Sequence, residues 1–324
     1  MSEPLLQVEG LETTFFTKAG ALKALDGVSY TIHRGEVLGI VGESGCGKSV
    51  TSYSLMGLLD HPGKVTGGRA LLNGVDLLSL TEEEYQKVRA KKIAMIFQEP
   101  MTALNPVLTI GQQIDEQLFQ HTDLTPAQAR KHSIEMLAKV GIPSPEERYS
   151  NYPHQLSGGM RQRAMIAMAL ALGPEFLIAD EPTTALDVTI QAQILELFQS
   201  LQKEMGMTVQ FITHDLGVIS EISDRVMVMY AGRSAELAPT EELFRSPRHP
   251  YTASLVRSIP VLGQRVDRLP TIEGVVPSLM ERPDGCAFQN RCPYQTAECA
   301  QAVPPFTELS PGHFVACFHP LEAK

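Results

Sequence analysis

The sequence predicts an α/β fold in which a mostly parallel sheet carries helices on both faces and a small irregular domain follows at the C-terminus. The stretch LGIVGESGCGKS reads as an apolar strand and a glycine-rich loop, and VTSYSLMGLL behind it reads as a helix. FLIAD at residues 176–180 reads as a second buried strand. Residues 245–324 contain eleven of the 22 prolines and little periodicity, so this segment cannot easily build a core of its own.

Charge and composition exclude several classes of protein. The 324 residues carry 27 basic and 37 acidic side chains, a net charge of −10, with no basic run, which argues against a nucleic-acid partner. The start MSEPLLQVEG resembles no signal peptide, and AMIAMALALG is too short to cross a bilayer. Cys46 is the single cysteine of the first 285 residues, as a reducing compartment favours. We therefore expect a chain made and kept in the cytosol.

The glycine-rich loop has the form G-x-x-x-x-G-K-S of a P-loop, which predicts a P-loop NTPase core. Its glycines allow backbone amides to curl around phosphates, and the following helix presents its positive N-terminal end to the same anion. Lys48 is expected to reach the β- and γ-phosphates, and the Ser49 hydroxyl to bind Mg²⁺. The predicted nucleotide-binding stretch is Gly42, Glu43, Ser44, Gly45, Cys46, Gly47, Lys48, Ser49 and Val50.

A second acidic motif completes this prediction. FLIAD ends in Asp180, and Glu181 follows it. Asp180 is expected to hold Mg²⁺ from the second side, and Glu181 to polarise a water molecule for in-line attack on the γ-phosphate. An acidic pair after an apolar strand is often only a strand end or a helix cap, but its position behind a P-loop favours a general base.

Residues from about 100 to 172 have helical periodicity, as in IGQQIDEQLFQH and AQARKHSIEMLAKVG, and contain no convincing strand. We therefore predict an inserted helical subdomain there. It contains QLSGGMRQR, in which Ser157 can cap a helix that Gly173 and Pro174 end.

The order P-loop, LSGGM, DEPTTALD and THD resembles the nucleotide-binding subunit of an ATP-binding cassette (ABC) transporter over at least residues 5–240. The resemblance implies that Gln98 contacts Mg²⁺ and senses a membrane partner, and that His214 holds the γ-phosphate. It also implies that Ser157, Gly158 and Gly159 close over ATP held by a second ATPase subunit, with Asp187 at the same junction. An aromatic residue ahead of the P-loop stacks on adenine in this family; alternation favours Phe15, with Phe16 or a plain sheet-core role as alternatives.

The resemblance divides the chain into a nucleotide-binding domain at residues 1–240 and a C-terminal domain at 241–324. RHPYTASLVRSIP, EGVVPS and the cysteine-rich stretch behind them are similar to the C-terminal region of dipeptide and oligopeptide importers. They imply an ATPase on the cytoplasmic side of the membrane, bound to two permease subunits, paired with a second and paralogous ATPase, and served by an external peptide-binding protein. The alternatives are a soluble cassette that acts on nucleic acid or ribosomes, an importer ATPase for another substrate such as nickel, and a regulator without turnover.

Four of the five cysteines, Cys286, Cys292, Cys299 and Cys317, lie close together in the C-terminal segment. Zinc sites prefer tighter pairs, disulfides do not suit a reducing compartment, and unrelated buried thiols are the fourth possibility. Four thiolates can bind an iron-sulfur cluster. The resemblance to importers that carry a four-iron, four-sulfur (4Fe-4S) cluster here favours that cluster in a structural role, with zinc as the second choice.

Overall fold

The structure is a computed structural model and describes residues 3–184, 186–259 and 271–323. Its strands are β1 (Pro4–Thr17), β2 (Gly20–His33), β3 (Val37–Val41), β4 (Gly63–Leu72), β5 (Val75–Asp76), β6 (Ile93–Ile96), β7 (Phe176–Asp180), β8 (Thr208–Ile212), β9 (Arg225–Tyr230), β10 (Arg233–Pro239), β11 (Thr307–Ser310) and β12 (His313–Val315). Its α-helices are α1 (Lys48–Met56), α2 (Glu82–Val88), α3 (Pro100–Ala103), α4 (Ile110–His121), α5 (Pro126–Lys139), α6 (Pro145–Tyr149), α7 (Gly158–Leu170), α8 (Val188–Met205), α9 (Leu216–Ile222), α10 (Thr240–Arg245), α11 (Pro250–Arg257) and α12 (Ala297–Gln301).

The chain forms two compact units. The first unit comprises residues 1–79 and 211–324, and the second comprises residues 80–210. Strand β8 begins in the second unit and ends in the first.

The first unit contains parallel and antiparallel strands. Strand β3 runs parallel to β9, and β10, β12 and β11 continue from β9 by antiparallel pairing. Every residue of β3 is buried, which a strand covered on both faces requires. Strands β1, β2, β4 and β5 form a separate antiparallel sheet in the order β2-β1-β4-β5. This second sheet could not be predicted from the sequence. Its long strands bury only one face and carry many polar residues, so they lack the continuous apolar run of a buried strand.

The second unit contains the predicted helical segment. Residues 100–172, all of which the structure describes, hold α3 to α7 and no strand, as their periodicity indicates. Capping boxes begin two of these helices: the Thr109 hydroxyl accepts from the Gln112 amide, and the Thr125 hydroxyl accepts from the Gln128 amide. Strands β6 and β7 of this unit pair in parallel. Helix α7 ends at Leu170, just before Gly173.

The C-terminal segment, residues 245–324, packs its buried side chains against strands of the first unit. Tyr230 of β9 contacts Tyr251 and Phe288 edge-on, with ring centroids 4.6 and 5.3 Å apart, and all three side chains are buried. The carboxylate of Asp26 accepts from Arg233 of β10 at 2.8 Å and pairs with Arg282 at 3.1 Å. These contacts explain how a proline-rich segment with little apolar periodicity acquires a fixed structure.

A buried charge cluster ties strand β12 to β10 and α10. His313 donates from Nε2 to Glu236 at 2.7 Å and from Nδ1 to Glu242 at 3.0 Å. Glu236 also accepts from the backbone amides of Arg248 and His249. Burial disfavours the charged imidazole, but the hydrogen bonds to the two carboxylates outweigh it and raise the pKa of His313 above its usual value.

No helix of the described residues combines the length and the apolar character needed to cross a membrane.

The raised pKa of His313 makes the stability of the first unit depend on pH. A raised folded-state pKa gives a stabilisation that is complete below the unfolded value of 6.5 and is lost as the pH rises through the folded value. We expect His313→Gln to cost about 3 kcal/mol at about pH 6 and less above the folded pKa. The difference in melting temperature from wild type, followed from about pH 6 to pH 9, measures this. His154→Gln, at an exposed position, is the control, and a constant difference for His313→Gln would contradict the charged cluster.

Candidate functional site

The glycine-rich loop connects β3 to α1 in the first unit, as the sequence predicts. A Cβ atom on Gly42 would lie 2.3 Å from the backbone oxygen of Met229, and one on Gly47 would lie 2.8 Å from Cδ2 of Leu25. Gly45 has φ 79°, and a Cβ atom on it would have no neighbour within 4 Å. The loop therefore passes close to its neighbours at both ends and is open at its centre, as a backbone cradle for an anion requires.

Lys48 follows this loop as the first residue of α1. Its side chain is buried, and Nζ donates to the backbone oxygens of Gly42 at 2.8 Å and Glu43 at 3.3 Å. Ser49 and Val50 follow it in the helix and are partly exposed. A buried ammonium group that is held by loop carbonyls at the start of a helix fits a phosphate site, because both the charge and the helix N-terminus attract anions.

The acidic motif lies in the second unit. Asp180 is the last residue of β7 and is buried, and Glu181 follows with φ 45°. This left-handed conformation is uncommon for a side chain other than glycine and costs energy that the surroundings must supply. Backbone strain of this kind often occurs at functional residues.

The Glu181 carboxylate is held by two neighbours from its own unit. Its Oε2 accepts from the Thr184 hydroxyl at 2.9 Å and from Nε2 of Gln98 at 3.3 Å. Gln98 itself is exposed. The structure therefore brings together two residues that the sequence predicted separately, Glu181 from its motif and Gln98 from the resemblance.

The LSGGM loop and Asp187 also belong to the second unit. Ser157 is exposed and caps α7, accepting from the Met160 amide at 3.3 Å. Gly158 is exposed as well, and a Cβ atom on Gly159 would lie 3.0 Å from Cγ2 of Ile190 in α8. Asp187 is exposed and caps α8 by accepting from the Ile190 amide at 3.0 Å.

The remaining nucleotide residues predicted by resemblance lie in the first unit. His214 is exposed immediately after β8. Phe15 is partly buried in β1, and its ring lies against Gly63, whereas Phe16 is 51% exposed. Both rings could stack on a base, so the choice of Phe15 remains a prediction.

The four C-terminal cysteines line one small cavity of ≈ 10 Å³. The backbone amide of Cys286 donates to the oxygen of Cys299 at 2.8 Å, and a Cβ atom on Gly285 would meet that oxygen at 2.2 Å. The His319 amide donates to Sγ of Cys317 at 3.4 Å. Tertiary structure thus brings together four thiols whose successive members are separated by five, six and seventeen residues in sequence.

None of the four thiols forms a disulfide. Burial, followed by the neighbouring sulfurs, raises the pKa of Cys317 to about 11, and burial also raises the pKa of Cys286 and Cys292. Within residues 3–184, 186–259 and 271–323, no three His, Cys, Asp or Glu side chains are arranged to hold a metal ion. The geometry therefore gathers the ligands that a cluster would need without forming a coordination sphere.

Sequence reasoning missed one set of contacts at the loop. The carboxylate of Glu43 pairs with Arg291 at 2.7 Å, and the Glu43 amide donates to the Tyr251 hydroxyl at 3.1 Å. Tyr251 lies in the HPYT motif and Arg291 directly precedes Cys292, but nothing in the sequence pairs residues more than 200 positions apart.

Two family descriptions match the chain. Residues 25–184 match the family described as ABC transporter, and residues 235–299 match the one described as oligopeptide/dipeptide transporter, C-terminal region. A probable peptide ABC transporter ATP-binding protein of Sinorhizobium fredii is 53% identical, with 97% of this chain and 94% of that protein covered. Dipeptide transport ATP-binding proteins of Bacillus subtilis and Escherichia coli are 50% and 47% identical over 98% of this chain, and over 95% and 97% of their own lengths.

Solved structures agree with the family match. A dimeric ATP-binding cassette in a post-hydrolysis state with ADP and Pi is 30% identical, with a TM-score of 0.66, and covers 72% of this chain and 98% of its own. A cassette from a Clostridium perfringens ABC transporter complex has a TM-score of 0.64 at 30% identity, over 75% of this chain and 91% of its own. The curated relatives thus match 97–98% of this chain, and the two solved cassettes cover 72–75% of it. The chain therefore belongs to the family of ABC transporter ATP-binding proteins that carry the oligopeptide/dipeptide transporter C-terminal region.

Proposed function

We propose that this chain is the ATP-hydrolysing subunit that powers import of dipeptides or oligopeptides through an ABC transporter. The observation that carries this proposal is the sequence identity to peptide-transport ATPases. It is 50–53% over 97–98% of the chain. The C-terminal match at residues 235–299 favours a peptide importer over a nickel importer and over a soluble cassette that acts on nucleic acid or ribosomes.

The proposed nucleotide roles are those that the motifs and the family resemblance assign. Residues 42–50 bind the phosphates, with Lys48 as their cation, while Phe15 stacks on adenine and His214 holds the γ-phosphate. By the motifs and the family resemblance, Ser49, Gln98 and Asp180 would be the residues that hold Mg²⁺, and the ion would neutralise charge on the phosphate oxygens. Glu181 orients the attacking water and accepts its proton. The hydrogen bonds from Thr184 and Gln98 support this role, because they fix one carboxylate oxygen.

Glu181→Gln tests the proposed general base. We expect ATP binding to persist while ATP hydrolysis and peptide uptake fall by about 10²-fold or more, because an amide accepts no proton. Both rates are measured in the chain copurified with its permease subunits. Glu196→Gln, which removes an exposed carboxylate from α8, is the matched control. Near-normal hydrolysis by Glu181→Gln would contradict the assignment of Glu181 as the general base.

We also propose the assembly in which this ATPase works. Two cassettes, this chain and a paralogous second ATPase, close over two nucleotides on the cytoplasmic side of the membrane, bound to two permease subunits and served by an external peptide-binding protein. Ser157, Gly158, Gly159 and Asp187 face the partner's nucleotide in this arrangement. The exposure of Ser157 and Asp187 supports it, as does the dimeric state of a related cassette.

Ser157→Arg tests whether the LSGGM loop acts on the partner's nucleotide. We expect the bulk and charge of arginine to block closure, so that hydrolysis is lost while this chain's own P-loop still binds ATP. Photocrosslinking of labelled ATP to each ATPase subunit, together with turnover, measures both effects. Ser150→Arg, an exposed site in the same helical segment, is the control. Loss of labelling only at this chain's own P-loop would contradict action across the interface.

We further propose that residues 1–240 form the nucleotide-binding domain, with a helical subdomain at about 100–172, and that residues 241–324 form a domain stapled by a 4Fe-4S cluster on Cys286, Cys292, Cys299 and Cys317. The shared cavity of the four thiols supports the cluster. Binding requires the thiols to ionise, which the raised pKa values of Cys286, Cys292 and Cys317 oppose in the free protein, so the cluster itself must stabilise the thiolates. Its role is structural, since it joins segments that lack a core of their own.

Anaerobic purification tests the cluster. We expect about four irons and four acid-labile sulfides per chain, with broad absorbance near roughly 400 nm. Cys292→Ser should lose the iron and become more sensitive to proteolysis after residue 240. Cys46→Ser, which changes the one cysteine outside the group, should keep it. Stoichiometric zinc without iron or sulfide would establish the zinc alternative, and metal-free protein with intact thiols would reject both.

A further inference from the structure

Glu43 introduces a negative charge into a loop that is built to hold an anion. Its carboxylate is partly exposed, at 30%, and belongs to the glycine-rich stretch itself. A carboxylate near a bound triphosphate repels it, and the repulsion grows with the charge of the nucleotide. A nucleotide site that contains Glu43 therefore needs a compensating cation.

Arg291 supplies that cation from the C-terminal segment. Its Nη1 donates to Oε2 of Glu43 at 2.7 Å and its Nη2 donates to Oε1 at 3.1 Å, which is the bidentate arrangement that guanidinium and carboxylate groups favour. The Arg291 side chain is only 4% exposed. An ion pair so shielded from water is screened less by salt than a surface pair.

The remaining donors of Arg291 fix its position. Nε donates to the Glu273 oxygen at 2.9 Å, Nη1 donates to the Tyr230 hydroxyl at 3.2 Å, and Nη2 donates to the Ile272 oxygen at 3.4 Å. Together with the two bonds to Glu43, these bonds engage every N–H group of the guanidinium. The fork that faces Glu43 is thus preorganised and loses little freedom when the loop binds a ligand.

A second contact holds the backbone of Glu43. Its amide donates to the hydroxyl of Tyr251, a fully buried residue at the start of α11. The backbone oxygen of Glu43 accepts from Nζ of Lys48. Residues beyond 240 therefore contact both the side chain and the main chain of a residue that shares a hydrogen bond with the P-loop lysine.

We propose that Arg291 is a positioning residue of the nucleotide site, which neutralises Glu43 and holds the P-loop in the conformation that accepts polyphosphate nucleotides. This inference rests on the proposed binding of phosphates at residues 42–50. It gives the C-terminal segment a role in ATP affinity that is separate from any contact with a membrane partner. Thermodynamic coupling is reciprocal. If the contact of Arg291 with Glu43 strengthens ATP binding, then ATP binding stabilises the segment that carries Arg291.

Nucleotide affinity of the purified full chain tests the proposal. We expect Arg291→Gln to weaken ATP binding by about tenfold and ADP binding by less, because the unpaired Glu43 carboxylate repels the more highly charged nucleotide more strongly. Arg291→Lys should recover part of the loss, since it keeps the charge and loses the fork. Glu43→Gln added to Arg291→Gln should recover most of it, because no carboxylate then remains to be neutralised. In the assembled transporter, Arg291→Gln should raise KM for ATP and leave kcat nearly unchanged.

Controls separate this inference from the function on which it rests. Arg245→Gln removes a 65% exposed cation from the same region and should leave ATP affinity unchanged. Lys48→Ala should abolish binding, and if it does not, the proposed phosphate site is wrong. If Lys48→Ala abolishes binding but Arg291→Gln binds both nucleotides as wild type does, only the positioning role is wrong. Equal losses for ATP and ADP with no recovery by Glu43→Gln would reduce Arg291 to a structural residue and also overturn the inference.

Discussion

The close approach of the glycine-rich loop to strand β9 is the constraint on which the nucleotide site depends. Strand β3 lies parallel to β9, and the chain leaving β3 passes so near the last residues of β9 that Gly42 has no room for a side chain beside the Met229 oxygen. Lys48 folds back onto the carbonyls of the same loop. The loop is therefore shaped by the sheet beneath it, and a glycine is required where backbone meets backbone.

Strain and hydrogen bonding act together at the acidic motif of the second unit. Glu181 has a left-handed backbone, which no local preference favours. Its carboxylate nevertheless has a defined position because Thr184 and Gln98 both donate to it. A carboxylate held in this way needs little rearrangement to perform the role proposed for Glu181, which is to orient a water molecule. The link between Gln98 and Glu181 also offers a physical route by which a change at one residue reaches the other.

The C-terminal segment illustrates how a chain with little core of its own becomes ordered. It packs Phe288 and Tyr251 onto Tyr230, pairs Arg282 with Asp26, and places His313 between two glutamates. Each contact joins the segment to an element that the first unit already contains. Arg291, which directly precedes Cys292 in the chain, extends the same pattern to the glycine-rich loop, where it pairs with Glu43.

The sequence by itself determined the P-loop, the acidic strand, the helical segment and the order of motifs that reveals the family, because each is a local pattern of glycines, apolar runs or helical periodicity. It also located the four cysteines, for which the family resemblance predicts a 4Fe-4S cluster, with zinc as the second choice. Only the tertiary structure showed that β1, β2, β4 and β5 form an antiparallel sheet. The mixture of polar and apolar residues in these strands is too irregular to predict them from the sequence. The tertiary structure alone paired Arg291 with Glu43 and His313 with Glu236 and Glu242. These are pairings between residues 71 to 248 positions apart, and charge complementarity over such distances has no signature in a single sequence.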